Sequence, residues 1–476
     1  MHDKNRLRVG RPLSRRALLG LAAVAAVAGG CSANPTSVAP AAEASVGASS
    51  DATGTAGGAT GYLDAGVLHT LRLTFDTDAF AAMVQQYLES GDKGWLEADL
   101  ALDGTPLARV GVRLKGNSSL RNVSATSAPE TLPWLVRLDK FVAGQHLDGL
   151  RELIVRSNTT TTALNEAVAL DLLAASGLAA QRAALARFSV NGSAEVLRLT
   201  VENPAQEWVD RVFATDGLLY KAEADGDWSY RGDDPASYAD IFDQETGEDD
   251  LTPLIGFLDF VNNSSDAEFT AGLPGRLDTD AFARYLAFEE LVDNFDDIDG
   301  PGNNAYLWWA RATARMTVVA WDHNLAFGAR PGGGGQGGVP GQVGGVPGQG
   351  GVPDQAAGGG RPTRPEGAPD PAALPAGLQP GEGMPSPADG QVPGRGQGGG
   401  PGGTRANALV TRFRTLAGGD AAVTAAKAAL TASLIESGAG KQSLDRWATL
   451  IGSAASDLVA ADALASERSA IESYVA

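Results

Sequence analysis

A stretch that cannot make a core divides this chain. From residue 329 to 406 the sequence repeats units such as GGVPGQ, rich in Gly, Pro and Gln and poor in apolar side chains. Such a segment buries too little apolar surface to offset the entropy of ordering its backbone, and it reads as a disordered insertion. It is not collagen-like, because glycine does not recur at every third position. The fold must therefore come from the sequence on either side. Of the chain's 61 Gly and 25 Pro, 27 and 14 fall in this segment, so an overall hydrophobic share of 43% leaves enough apolar residues for a core elsewhere.

The first residues are also set apart from the fold. Lys4, Arg6, Arg8, Arg11, Arg15 and Arg16 precede an apolar run from Ala17 to Gly30 that is too short to span a bilayer. Ser14-Arg15-Arg16-Ala17-Leu18-Leu19 resembles a twin-arginine export signal, and Ala28-Gly29-Gly30-Cys31 resembles a bacterial lipoprotein processing site. Cys31, the only cysteine, is then the expected lipidation point, and no intrachain disulfide is possible. Residues 1–31 are read as an export signal and 32–61 as a flexible tether. The expected location is the outer face of the cytoplasmic membrane, with a lipid anchor as the only membrane contact, or otherwise secretion. A formal net charge of −20, with residues 1–30 themselves basic, argues against nucleic-acid binding, which needs a basic face.

Ordered patterning begins near Tyr62. Alternation predicts strands at 68–75, 95–102, 108–115 and 134–138. A helix is expected over 78–89, capped by Thr77 or Asp78, and another over 165–176 with Gly177 as its stop. Strands at 185–190 and 195–202 flank Asn191-Gly192, a hairpin turn signal. From about Pro204 the pattern becomes more helical, with helices expected at 254–262, 279–293, 421–435 and 444–463.

The chemistry is concentrated in residues 289–328. Asp293, Asp296, Asp297 and Asp299 are followed by Asn303 and Asn304, then by an apolar strand-like run, Met316–Trp321, that delivers Asp322 into a polar turn. Two groups of oxygen ligands joined by a hairpin suit a hard cation such as Mg²⁺. A calcium-binding EF-hand is excluded: with Gly300 at the loop's sixth position, Phe295 and Tyr306 fall at the first and twelfth. A second constellation is Arg113-Leu114-Lys115-Gly116-Asn117-Ser118-Ser119, a strand running into a small polar turn whose N–H groups and cations can hold phosphates. An ordinary hairpin with a solvated lysine fits those residues equally.

Arg113 to Ser119, Asn294-Phe295-Asp296 with Asn304, and Trp321 to Gly328 together resemble the spore coat protein H (CotH) kinase family, over about 66–328 and again over 407–476. The resemblance implies an α+β, atypical bilobal protein-kinase-like fold. Its strand-rich lobe (62–203) would cover the nucleotide, and its helical lobe (204–328, completed by 407–476) would carry the catalytic residues. It implies transfer of the ATP γ-phosphoryl group to Ser or Thr of an exported protein, with Mg²⁺ or Mn²⁺. Asp296 would be the catalytic aspartate, Asn304 and Asp322 the metal ligands, and Lys115, Arg113, Asn117, Ser118 and Glu202 the nucleotide-binding set. Two departures stand out. Leu132 to Arg137 lacks the lysines usual after the turn, and Asn165 replaces an arginine, leaving Lys115, Arg113 and Arg137 as candidate cations. A catalytically weak or inactive surface-binding or structural protein is the alternative. A metal-dependent hydrolase is a third reading, disfavoured because only four His occur and only His323 lies near the site.

Overall fold

The computed structural model describes residues 61–330, apart from Asp225, and 407–476. The export signal, Cys31, the tether through residue 60 and the Gly/Pro-rich segment from 331 lie outside the described residues. The chain begins with β1 (His69–Thr74), α1 (Thr77–Ser90), β2 (Leu96–Leu102) and β3 (Thr105–Leu114). Next come β4 (Trp134–Arg137), β5 (Glu152–Val155), α2 (Leu164–Ala175), β6 (Ala183–Val190) and β7 (Val196–Glu202). These seven strands close into a barrel in the order β1-β2-β3-β4-β5-β7-β6, sealed by parallel pairing of β6 with β1. The cap of α1 is Asp76, one residue before the expected pair, accepting from Ala79 N at 2.8 Å. The Asn191-Gly192 turn has φ 51° and 77°, the double left-handed geometry that matches strand twist in a tight hairpin.

The remainder is not simply helical. α3 (Gln206–Val212), β8 (Gly217–Ala222), β9 (Phe242–Thr246), α4 (Thr252–Asn263), α5 (Asp266–Gly272) and α6 (Thr279–Leu291) precede β10 (Ala305–Ala310) and β11 (Arg315–Ala320). The helices α7 (Ala408–Leu416), α8 (Gly419–Leu430), α9 (Ala439–Ala454) and α10 (Ala461–Val475) follow. Strands β11-β10-β8-β9 form a second, four-stranded sheet. The α+β class therefore holds, while the region read as a helical lobe contains a sheet. Of its strands only the run into Trp321 was expected, because β8 and β9 are short and lack clear alternation.

Period-two alternation distributes the side chains among three cores. Ala184, Ala186, Phe188 and Val190 of β6 fill the barrel with Val112, Leu114, Trp134 and Val155. Their alternates Ala183 and Leu185, with Leu197 and Leu199 of β7, pack outward against α2 and the C-terminal helices. Leu135 and Ile154, on the outer face of β4 and β5, meet Leu219, Tyr306, Trp308 and Val319 of the second sheet, and this third core ends at Trp321. Helix α2 is buried almost all round, between the barrel and the pair α9 and α10, so the core crosses the boundary drawn at residue 203.

Candidate active site

Strand register places the two expected constellations at a common edge. Leu114 of β3 lies opposite Trp134 of β4, which lies opposite Val155 of β5. β3 and β5 thus run in the same direction, and the next residues, Lys115 and Arg156, emerge together at one rim of the barrel. In the second sheet Ala305 pairs with Ala320, so Asn304 and Trp321-Asp322 share the open end of the β10–β11 hairpin. Trp321 joins the two ends: Lys115 Nζ is 5.7 Å and the Arg156 guanidinium 5.0 Å from its ring centre, within cation–π range.

Asp322 adopts φ 64° ahead of the short turn His323–Leu325. Asp293, Asn303 and Phe327 are left-handed as well, at φ 47°, 52° and 58°. Each such residue costs on the order of 1–3 kcal/mol and persists where its surroundings over-determine it. Asp322 Oδ1 lies 3.1 Å from Arg156 Nη2, but the pair is misaligned, so this buried oxygen has no hydrogen-bond partner among the described residues. Arg156 also ion-pairs with the buried Glu166 of α2. A buried carboxylate oxygen that faces a guanidinium without hydrogen-bonding to it keeps its lone pairs open to a further cation. Among the described residues no three His, Cys, Asp or Glu side chains form a metal cage. Mg²⁺ needs none, since it binds through one or two side-chain oxygens and takes phosphates and water for the rest. Asp322 and Asn304 fit that requirement.

Asp296 is held from the other side. Its Oδ1 accepts from the backbone N–H of Gly302, and its backbone carbonyl accepts Asn304 Nδ2 at 2.8 Å. That leaves Asn304 Oδ1 as the atom to meet a cation. Burial, with the Asp322 charge adding to it, raises the Asp296 carboxyl above the ordinary aspartate range, opposed by the hydrogen bonds from Gly302 and Asn304. A carboxylate shifted upward in this way suits a general base. Asn303 has a different part: Trp228 Nε1 donates to its Oδ1 at 2.7 Å and its Nδ2 donates to the Glu223 carbonyl at 3.0 Å. Gly302 is required by contact, because a Cβ there would lie 2.5 Å from Asp296 Oδ2. Gly302→Ala is expected to displace Asp296 and lower any phosphoryl transfer at least about tenfold, as mis-positioning of reacting groups does. Transfer rates of the variant beside its melting temperature check this; a loss matched by general unfolding would point elsewhere.

The other acids of the run are structural. Burial, with the Glu289 charge second, pushes Asp297 up to about 7, and its carboxylate accepts from Asp299 N at 2.9 Å. Asp299 Oδ1 accepts from Asn407 N at 2.6 Å, and Asp293 Oδ2 accepts from the Tyr474 hydroxyl at 3.0 Å. Asp299 and the exposed Asp293 tie the loop to the C-terminal helices, while Asp297 closes the loop on itself. His323 is buried, its Nε2 3.2 Å from Glu289 Oε1, and Asn294 Nδ2 donates to Glu289 Oε2 at 2.9 Å. Burial alone would lower the His323 pKa, but the Glu289 charge and hydrogen bond outweigh it and raise it.

The remaining expected residues divide. Arg113 stacks 4.9 Å from the Trp95 ring centre, Asn117 Oδ1 accepts Lys93 Nζ at 2.9 Å, and Ser118 opens a short 3-10 turn. Gly116, at φ 107°, lets Ser119 Oγ close over it. Glu202 is buried and its carboxylate is gripped by Arg182 (3.0 Å) and Arg211 (2.5 Å). Arg137 is removed from the candidate cations, since Asp139 (2.7 Å) and Glu152 (3.4 Å) neutralise it. Arg156 and Lys221 replace it. Both add positive charge around Lys115, and Lys221 in turn pairs with Glu223 at 2.5 Å. The missed signal for Arg156 was the short apolar strand Leu153-Ile154-Val155 just before it. Asn165, where an arginine was expected, instead donates to the Asn324 carbonyl at 2.6 Å and holds the Asp322 turn against α2.

The model of the family described as CotH kinase protein matches residues 112–348. Over these residues the chain belongs to the CotH kinase family, and the matched stretch contains Lys115, Arg156, Asp296, Asn304 and Asp322. It is a kinase-like protein. No curated protein matches the chain.

Proposed function

We propose that this protein is an exported, lipid-anchored protein kinase that transfers the γ-phosphoryl group of ATP to Ser or Thr of a surface or secreted protein. The observation that carries the reading is the junction at Trp321. There Lys115 and Arg156 both lie against the Trp321 ring. Arg156 faces Asp322, whose buried oxygen lacks a hydrogen bond, with Asn304 at the same hairpin end and Asp296 bonded to it. Asp296 accepts the acceptor hydroxyl's proton as the oxygen–phosphorus bond forms and the β,γ bridging bond breaks, releasing ADP. Lys115 and Arg156 offset the phosphate charge. Asp322 and Asn304 would hold Mg²⁺ or Mn²⁺, and the ion would supply charge neutralisation at the transferring phosphate. Incubation with γ-labelled ATP, Mn²⁺ or Mg²⁺ and casein as generic acceptor is expected to label protein, and metal plus ATP to raise the melting temperature. No labelling and no melt shift would favour the binding or structural alternative.

Lys115 supplies a pH test. Burial lowers its pKa to about 8, with Lys221, Arg113 and Arg156 lowering it further against the opposing Glu245 charge. The cation is thus present at pH 7 and lost as pH rises through about 8. Nucleotide affinity is expected to weaken between pH 7 and 9.5, and to weaken less in Lys115→Arg, whose guanidinium stays charged. Stability moves oppositely: above pH 8 the unfolded chain binds the proton that the folded chain has released, so stability rises toward the ordinary lysine range. Binding titrations across that range check the first effect and chemical denaturation the second.

A further inference from the structure

We infer that Glu467, on the last helix, is a positioning residue for the candidate metal site, acting through α2; the inference rests on the phosphotransfer reading above. Helix α2 has no side-chain cap at its start, and Ala163, its N-cap, is left-handed at φ 56°. Asn158, in the same approach, is left-handed at φ 54°. Alanine has no side chain with which to satisfy that conformation. Thr160 and Thr162 serve the turn locally. From outside the segment, Glu467 holds the two residues ahead of Ala163. Its Oε1 accepts Thr161 N at 2.8 Å, its Oε2 accepts Thr162 N at 3.0 Å, and the Thr162 hydroxyl donates to Oε2 as well. With Glu467 holding it, the Thr162 Oγ accepts Leu164 N at 3.1 Å, and Thr160 Oγ accepts Ala163 N at 3.1 Å. A carboxylate just ahead of the helix N-terminus is also favoured by the helix dipole.

What α2 delivers is the support of the site. Asn165 in its first turn donates to the Asn324 carbonyl, and Glu166 pairs with Arg156, which faces Asp322. A displacement at Thr161–Thr162 therefore reaches the Asp322 turn through two adjacent side chains. Residues that orient metal ligands without touching the metal typically govern affinity or activity by about 10–100-fold. Glu467 lies outside the stretch matched by the family model.

The test uses the full chain, with Mn²⁺ uptake followed by electron paramagnetic resonance in the presence of a non-hydrolysable ATP analogue, and analogue binding measured without metal. Glu467→Ala is expected to weaken Mn²⁺ uptake about tenfold and metal-free analogue binding distinctly less, since Arg156 is tied to α2 through Glu166 whereas Lys115 is not. Glu467→Gln, which keeps one acceptor oxygen, is expected to recover part of the loss. Asp457→Asn is the control, because Asp457 ties the same C-terminal region to Arg187 of β6 rather than to α2; its Mn²⁺ uptake should stay unchanged. Unchanged uptake in Glu467→Ala, or an equal loss in Asp457→Asn, would overturn this inference alone. Absence of Mn²⁺ uptake by the unsubstituted chain would overturn the phosphotransfer reading and this inference with it.

Discussion

Asp322→Asn is expected to abolish metal-dependent phosphoryl transfer, lowering it by about a thousandfold, or roughly 4 kcal/mol of transition-state stabilisation. Asparagine is the sharper substitution than alanine. It keeps the size of the side chain and tolerates the left-handed backbone that residue 322 adopts at φ 64°. What it removes is the charge that a cation and Arg156 both face. Glu166 continues to neutralise Arg156, so no buried guanidinium is stranded and the fold should persist. The melt shift produced by metal with ATP should vanish, while the melting temperature without ligand changes little. Incorporation of label equal to that of the unsubstituted chain would remove Asp322 from the site.

The second large effect concerns stability. Glu289→Ala is expected to destabilise the protein by about 3–5 kcal/mol, the range for breaking one partner of a buried charged pair. Glu289 is 2% exposed and His323 fully buried, and Glu289 accepts from both His323 and Asn294. Removing it leaves two buried donors without an acceptor, and their desolvation cost is no longer offset. Glu289→Gln keeps an acceptor for one of them and should lose less. Replacing the pair together, as Glu289→Leu with His323→Phe, should recover part of the loss, since no buried charge is then unmatched. Denaturant midpoints at neutral pH check the series; a Glu289→Ala midpoint close to that of the unsubstituted chain would show the pair to be uncoupled from folding.

Sequence alone marked the candidate site residues more readily than the residues that support them. Asp322 and Lys115 were legible because each follows an apolar strand, and period-two alternation marks where such a strand ends. Asn304 was legible only as half of a pair. The division of labour with Asn303 depends on Trp228 and the Glu223 carbonyl, which come from distant sequence. Arg156 was missed because β5 has four residues, too few for alternation to register. Glu202 and Arg137 looked available in sequence, since nothing local reveals that Arg182, Arg211, Asp139 and Glu152 claim them. The barrel's closure was likewise hidden: the pairing of β1 with β6 joins residues far apart in the chain, and no local signal encodes it.

The ties at residues 330 and 407 have a consequence for how this family member can vary. The Arg330 guanidinium lies 4.3 Å from the ring centre of Phe295, and Asn407 N donates to Asp299. The chain thus leaves and re-enters at the same short loop, next to Asp296. Because both junctions are anchored by described residues, the protein is expected to keep this loop when the length of the joining segment is changed. Doubling or halving that length changes the closure entropy by only about 0.6 kcal/mol, small beside the stability of a domain. Repeat expansion, deletion, or replacement by a reporter is therefore open to this protein at that point without disturbing the loop that carries its candidate base.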